Sequence, residues 1–545
     1  MRSSNPRRSP LGRLLQLALV AAVVVAARTP FLLRADRFFN SDEAVEGLMA
    51  RHVLLGEHPV VFWGQRYKGV PEVYLAAAAF AAAGPSVVVL KAVTLACFAA
   101  FAVAQFVLVE RLFSRRIAWI ATALLAASPP ALVLWSLSAS AEVVFTMLAG
   151  TVLCLGVDVW RRTGARWALC LACASLGFGL WVQQFIVYYI VGIAAGVLWD
   201  LPRRGALVRH FVAAPELTPG GRLGLHVLLA GALALAGLGV FAFVAGGFDT
   251  TVAGVYIGMH HPQKIWRMSL AALVLWALLR SASVLLRVRE RADWFGVGLA
   301  GASFLLGYAP AIVGTLTARG SGMPPIGRAA LGDVADALPP FTRALLPIVL
   351  GFRSPDTEWL GAPAWLGVPI AIAAVASFAG LRRRGFTPVF HAMVVAVPVI
   401  LLLSGSFIDA QSYRYLMPAV GALSVVLAIG ISNVLQRSRL AGLALLAVLV
   451  GTFTFEQRAW YGRLLPDHQT ATLLACLDRS GVRAAYADYW VSYKVTFLAG
   501  ERVIVVPNTG VDRFLPYRRY VAGQPAAPTL AVDPGAACHA LGQAP

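Results

Sequence analysis

Charge is what this 545-residue chain has least of. Only 13% of its residues are Asp, Glu, Lys or Arg, where soluble globular domains carry about a quarter. That shortage excludes an ordinary water-soluble fold. The 59% of residues that are hydrophobic supply many windows close to the roughly 20 apolar residues that cross a bilayer. Acids are the rarer sign, 26 against 46 bases, for a formal net charge of +20. The bases collect in clusters such as Arg115-Arg116, Arg161-Arg162, Arg203-Arg204 and Arg382-Arg383-Arg384, at alternate ends of apolar runs. That is the positive-inside pattern, so most of the excess reads as topology. An anionic partner such as a lipid phosphate is the functional use left for the remainder. Scattered between spans, the bases form no stripe for nucleic acid.

Cysteine is also sparse. Cys97, Cys154, Cys170 and Cys173 lie in apolar runs, and the CxxC spacing of the last two has no histidine or second pair nearby. A buried apolar role fits them better than metal or redox chemistry. No P-loop and no GxSxG is present, and no dinucleotide-binding fingerprint is expected. ATP-driven transport and nucleotide-sugar chemistry are therefore unsupported, and no repeat of solenoid period is seen.

What is present is a series of apolar runs. Residues 14–33 follow a basic leader, Met1 to Arg13, and read as an uncleaved first span rather than a signal peptide. Further spans are expected near 85–109, 117–133, 141–159, 167–183, 185–200, 224–245, 268–287, 294–315, 363–381, 388–404, 415–434 and 440–455. This makes about thirteen, each roughly long enough to cross. The turns 110–116, 160–166, 201–223, 288–293, 382–387 and 435–439 all contain arginine, whereas 134–140 and 183–184 contain none. A cytoplasmic N-terminus and an outside C-terminus follow. The segments 246–267 and 317–361 then lie outside, the second with a helical stretch over 328–350 that reads as re-entrant or interfacial.

Composition changes after Phe455. Helices over 467–479, 491–499 and 514–521 alternate with strands over 484–490, 502–506 and 529–532. That alternation predicts a small α/β domain with parallel strands, dividing the chain into 1–456 and 457–545. Cys476 and Cys538, the two cysteines outside the spans, fall in this region. In an oxidising compartment a bridge between them is expected, with two unpaired thiols as the alternative.

The densest chemistry follows the first span. Asn40-Ser41-Asp42-Glu43-Ala44 precedes Gly64-Gln65-Arg66-Tyr67-Lys68-Gly69 and Pro71-Glu72-Val73-Tyr74. A loop that merely joins two spans needs neither such charge nor such aromatics. Asp42 can act as a general base with Glu43 orienting it. The bland alternative is a helix start, with Ser41 as N-cap and acids in the first turn. Arg66, Tyr67 and Lys68 could face a phosphate or a sugar, or simply solvent. Glu142 lies near an outer span end, where an ionisable group is expensive and points to function; pairing with a base such as Lys91 is its plain reading. Arg414 and Tyr415, in Tyr413-Arg414-Tyr415-Leu416-Met417-Pro418, combine a bidentate phosphate fork with an interfacial aromatic. Asp409 could pair with that arginine. His260-His261 lack the i, i+4 spacing of a helical zinc site, and Gln183-Gln184 serve equally as sugar ligands or a polar turn.

The first-loop motif and the Arg414–Pro418 segment resemble the GT-C glycosyltransferases, and within them the bacterial relatives of protein O-mannosyltransferases and lipid A aminoarabinose transferases. Residues 483–506 also look like the small terminal domain of some members, while the middle spans match only in hydropathy. The resemblance implies a polytopic α-helical bundle in the plasma (inner) membrane, with its catalytic first outside loop over 34–84. It implies transfer of a single hexosyl or pentosyl unit, with inversion, from a polyprenyl-phosphate carrier to a lipid, glycan or protein hydroxyl. No cofactor follows from it, although the chemistry leaves room for a divalent metal. The WWD-type motif of oligosaccharyltransferases is absent. A lipid or glycan transporter without transferase activity is the alternative, and it predicts paired, broken half-helices that the sequence does not display.

Overall fold

The structure, a computed structural model, describes residues 9–140, 142–200, 219–244, 248–252, 255–259, parts of 265–276, 292–317, 331–356, 360, 367–379, 386–403, 410–509, 512–524 and 527–530. It is overwhelmingly helical. Among the described residues six segments are long and apolar enough to cross a membrane: Pro10–Leu32, Val87–Leu112, Val144–Thr163, Phe295–Gly314, Gln411–Arg437 and the run Arg439–Ser480. Shorter apolar helices, including Arg166–Val182, Gly367–Phe378 and Pro388–Leu403, accompany them. The protein is a polytopic helical membrane protein. The span expected near 268–287 lies largely outside the described residues.

Chain chemistry sets the helix ends. Ser86, Ser114, Ser438 and Asp467 each accept a hydrogen bond from the backbone N–H three residues on, as N-caps. The run expected as one span over 117–133 is broken into Arg115–Ala126 and Pro130–Trp135. Pro129 and Pro130 cannot continue the hydrogen-bond ladder. The break leaves carbonyls without partners, and the buried Arg28 of the first span meets them. Its guanidinium donates to the carbonyls of Leu125 (2.9 Å) and Ala126 and to the Ser128 hydroxyl (2.6 Å). Gln457 adds a bond to the Ser128 carbonyl at 2.7 Å. The string Gly296-Val297-Gly298-Leu299-Ala300-Gly301 does have dinucleotide-fingerprint spacing. It sits inside the helix Ala292–Thr317, without the strand-to-helix turn that gives the spacing its meaning.

The chain divides into two compact units. Residues 197–299 form one, with the helix Pro219–Val244 and an antiparallel hairpin, Phe248–Val252 with Val255–Met259. The hairpin occupies part of a segment read from sequence only as an outside loop. Residues 1–196 and 300–545 form the other. The expected helix over 328–350 runs as Leu331–Pro340, a π-turn Phe341–Leu345 and Leu346–Leu350, ending at Gly351 with φ 95°.

The C-terminal part of the larger unit is a small α/β layer. The strand Ala484–Ala487 pairs in parallel with Ile504–Pro507, joined by the helix Tyr489–Leu498. A parallel bridge from Tyr486 to Thr529 adds a third position. The helices His468–Ser480 and Leu515–Ala522 complete it. Leu473, Leu477, Ala485, Val495, Val503 and Val505 pack together at its centre. Cys476 is disulfide-bonded, while Cys97, Cys154, Cys170 and Cys173 are free thiols; Cys538 lies outside the described residues.

This layer lies directly on the first loop. The loop carries the helix Ser41–Leu54, a two-strand ribbon Val61–Phe62 with Gln65–Gly69, and the helix Pro71–Ala83. Phe39, Leu48, Phe62, Trp63 and Phe80 share one buried cluster with Tyr493, Phe497 and Val506 of the layer. Gly47 makes that contact close: a Cβ there would stand 2.5 Å from the Phe497 ring.

Candidate active site

The helix Ser41–Leu54 starts at a different cap from the one expected. Asn40, not Ser41, is the N-cap, and its side chain accepts the N–H of Glu43 at 3.0 Å. Glu43 returns the interaction to the Asn40 backbone, a reciprocal capping box. Ser41 is buried and accepts the N–H of Lys494 instead, at 3.3 Å. The cap thus fixes the two carboxylates that follow it.

Those carboxylates have different fates. The Glu43 side chain is 2% exposed and ion-paired with Lys91, and it accepts the Ala139 N–H at 3.1 Å. Burial lifts its carboxyl above the usual range, opposed by Lys91 and by the backbone donors of Ala139 and Asn40. Asp42 is 31% exposed and faces a cavity of about 490 Å³. Its Oδ1 accepts from the Tyr489 hydroxyl and, at 3.3 Å, from Arg513. Asp42 is therefore the carboxylate open to a ligand, and Glu43 is an anchor beneath it.

The same cavity gathers most of the residues singled out by sequence. Gln65, Tyr67 and Lys68 line it from the ribbon, Glu142 and Gln183 from neighbouring span ends, and Arg414 and Tyr415 from the start of a later span. Lys68 is buried and paired with Glu46 at 3.2 Å. Burial pushes the Glu46 carboxyl up to about 7, against the pull of Lys68. Glu142 meets Arg414 at 3.7 Å, and Arg414 donates to the Tyr415 hydroxyl at 2.8 Å. The expected partner for Glu142, Lys91, is engaged by Glu43 instead. Arg66 lies in the ribbon strand, with its side chain outside the description. Asp409, His260 and His261 also fall outside the described residues. Among those described, no group of three or more His, Cys, Asp or Glu is placed to hold a metal.

Sequence reasoning missed four participants. Lys91 was considered only as a partner for Glu142, and Glu46 was not singled out. Tyr489 and Arg513 belong to the α/β layer, about 450 residues from Asp42 along the chain. The aromatic run Tyr486 to Trp490 was the available signal for Tyr489; for Arg513 there was none. Trp490, Trp135, Trp460 and Arg463 also line the cavity, giving it aromatic and basic surface suited to sugar rings and anions.

No family model and no curated protein matches the chain. Among solved structures it is similar to the oligosaccharyltransferase of Archaeoglobus fulgidus in the apo form, at 13% identity and a TM-score of 0.47, over 91% of this chain and 64% of that one. The chain thus spans just under two thirds of the length of that neighbour. Another structure of the archaeal protein is a complex with Zn and sulfate. ArnT from Cupriavidus metallidurans bound to undecaprenyl phosphate is similar at 12% identity and a TM-score of 0.47, over 96% of this chain and 90% of that one. Its apo state is similar at 12% identity and a TM-score of 0.48, over 95% and 89%.

Proposed function

We propose that the chain is an integral-membrane glycosyltransferase that moves one sugar from a polyprenyl-phosphate carrier to a hydroxyl on the extracytoplasmic face. The observation that carries this reading is convergence. Asp42, Lys68, Glu142 and Arg414 are spread over more than 370 residues, yet they line one cavity beside membrane-crossing helices. A carboxylate and a guanidinium in one such cavity suit a reaction with an acceptor proton at one end and a departing phosphate at the other.

In this reading Asp42 takes the proton of the acceptor hydroxyl as its oxygen attacks the anomeric carbon. The bond from that carbon to the carrier phosphate oxygen breaks, and its electron pair leaves with the phosphate. Arg414 receives the developing charge through its planar fork, and the aromatic wall holds the sugar. A single displacement inverts the anomeric centre. Glu43 and Glu46, both buried in ion pairs, act as supports. A divalent metal remains open to test by chelation.

An undecaprenyl-phosphate-linked sugar is the donor to try first. Purified wild-type protein is expected to release carrier phosphate and glycosylate an acceptor. Asp42→Asn keeps the size and removes the base, so turnover should fall about 10²-fold or more. Near-wild-type turnover in folded D42N protein would exclude Asp42 as the base. Carrier translocation without sugar transfer, indifferent to D42N, would establish a transporter instead. The proposed orientation has the N-terminus inside and the α/β layer outside, so alkaline phosphatase fused after Val521 should be active. An inactive fusion there, with an active one at 382–387, would invert it.

A further inference from the structure

Arg513 sits at the centre of a junction that the proposed chemistry has not used. Its side chain is only 10% exposed. It donates to Asp42 Oδ1 at 3.3 Å and to the Tyr489 hydroxyl at 2.9 Å. The Gln65 amide, turned with its oxygen inward, accepts from Arg513 Nη1 at 2.8 Å and Nη2 at 3.1 Å, and from the Tyr67 hydroxyl at 3.2 Å. The guanidinium also lies over the rings of Tyr489 (5.3 Å) and Phe62 (5.6 Å). A buried cation so fully engaged resists displacement, because each lost partner leaves an unpaired group out of water.

The short segment around it crosses the first loop at several points. Phe514 stacks on Trp63 with ring centres 3.9 Å apart. Gly64, at φ 69°, comes so close that a Cβ would stand 3.2 Å from the Asp512 carbonyl. Tyr517 reaches His52, near the far end of the helix that begins at Ser41, at 3.0 Å. Residues 512–517 therefore strap the catalytic helix at its first and last turns, and among the described residues Arg513 of the strap and Tyr489 hydrogen-bond Asp42 from the α/β layer.

The geometry points to Arg513 and Tyr489 as positioning residues for Asp42, which makes the C-terminal α/β layer an obligatory part of the active site. This rests on the transferase reading, in which Asp42 is the base. Two donors on the same oxygen, Oδ1, orient the carboxylate and leave Oδ2 for the acceptor proton. The charged groups around Asp42 are Glu46 on its own helix, Lys68 on the ribbon, and Arg414 and Glu142 at the span ends. The strap is what distinguishes the Asp42 side, since it can be loosened without touching the membrane helices.

The test uses the full chain with Arg513→Gln, Tyr489→Phe and Arg513→Ala, and undecaprenyl-phosphate-linked sugar as donor. In R513Q and Y489F, kcat is expected to fall about 10–100-fold while donor KM stays within about twofold, the split expected when a base is misplaced. Added guanidinium should restore several-fold activity to R513A. A donor KM that rises along with the fall in kcat, together with no rescue, would mark a merely structural arginine and overturn the proposal. Hydrogen exchange supplies a readout free of the donor. In R513Q the amides of 41–47 should lose at least tenfold protection while those of 484–498 keep theirs, and equal protection in both proteins would overturn the strap. A wild-type protein that transfers no sugar would sink the transferase reading alone, with the exchange result still deciding the strap.

Discussion

On the loop side of the cavity, three carboxylates in one helix are held by named partners: Asp42 by Tyr489 and Arg513, Glu43 by Lys91, Glu46 by Lys68. Across the cavity Arg414 and Glu142 face them, at 3.7 Å with side chains 29% and 13% exposed. The difference is one of commitment. Glu43 and Lys91 have been fully withdrawn from water and can exchange neither partner without a large cost. Arg414 keeps a loose, partly wet contact, and in the proposed reaction a phosphate replaces Glu142 on it. The first wall holds geometry, and the second would then change partners.

Breaking the committed wall should do the most damage. Lys91→Met removes the cation and leaves Glu43 buried beside hydrocarbon. One-sided loss of a buried pair costs about 3–5 kcal/mol, so the yield of folded protein and its midpoint in a thermal assay should both collapse. Replacing both partners, Glu43→Gln with Lys91→Met, should recover most of the loss. A well-folded K91M protein would show that the pair is not what fixes the catalytic helix.

The opposite wall should respond in affinity rather than stability. Arg414→Lys retains the charge and loses the fork, so affinity for undecaprenyl phosphate should drop about tenfold, roughly 1.4 kcal/mol. Glu142→Gln removes the competitor for Arg414, and the same affinity should rise several-fold. Both proteins should melt close to wild type. Unchanged binding in both would place the phosphate elsewhere and remove the contrast between the walls.

How much of this was readable from the chain depends on whether a residue's role is local. Asp42, Glu142 and Arg414 stood out because ionisable groups at span ends are costly and so seldom incidental. The strands at 484–487 and 504–507 were legible from alternating composition, within a few residues of their ends. The cap at Asn40 was missed by one position, since Asn and Ser serve equally and only Glu43 three residues on decides between them. Arg513 carried no signal at all. It is one arginine among many in a polar tail, and its role comes from a contact spanning 471 residues. Likewise, nothing along the chain tells whether Lys91 takes Glu43 or Glu142; that is settled by which carboxylate the helix start delivers to it.

The gentlest test concerns the last turn of the helix Ser41–Leu54, where the strap ends on a histidine. His52 Nδ1 lies 2.8 Å from Glu57, and Nε2 lies 3.0 Å from both Glu501 and the Tyr517 hydroxyl. Burial alone would lower its pKa, but the hydrogen bonds and charges of Glu501 and Glu57 carry it above the ordinary histidine value. Glu501, also paired with Arg51 at 3.6 Å, is held below the usual carboxylate range. Burial and Glu501 push the Tyr517 hydroxyl up, so Tyr517 stays neutral where His52 changes charge. With a folded pKa above the unfolded one, its stabilisation is full below about 6.5. It is lost as the pH rises through the folded value, because the native state then gives up its extra proton. Exchange protection of the amides over 515–522, corrected for intrinsic rates, should therefore fall a few-fold between about pH 6 and pH 9. His52→Gln should flatten that dependence. A pH dependence that survives in H52Q would mean that the strap is fastened by Trp63 and Phe514 rather than by charge.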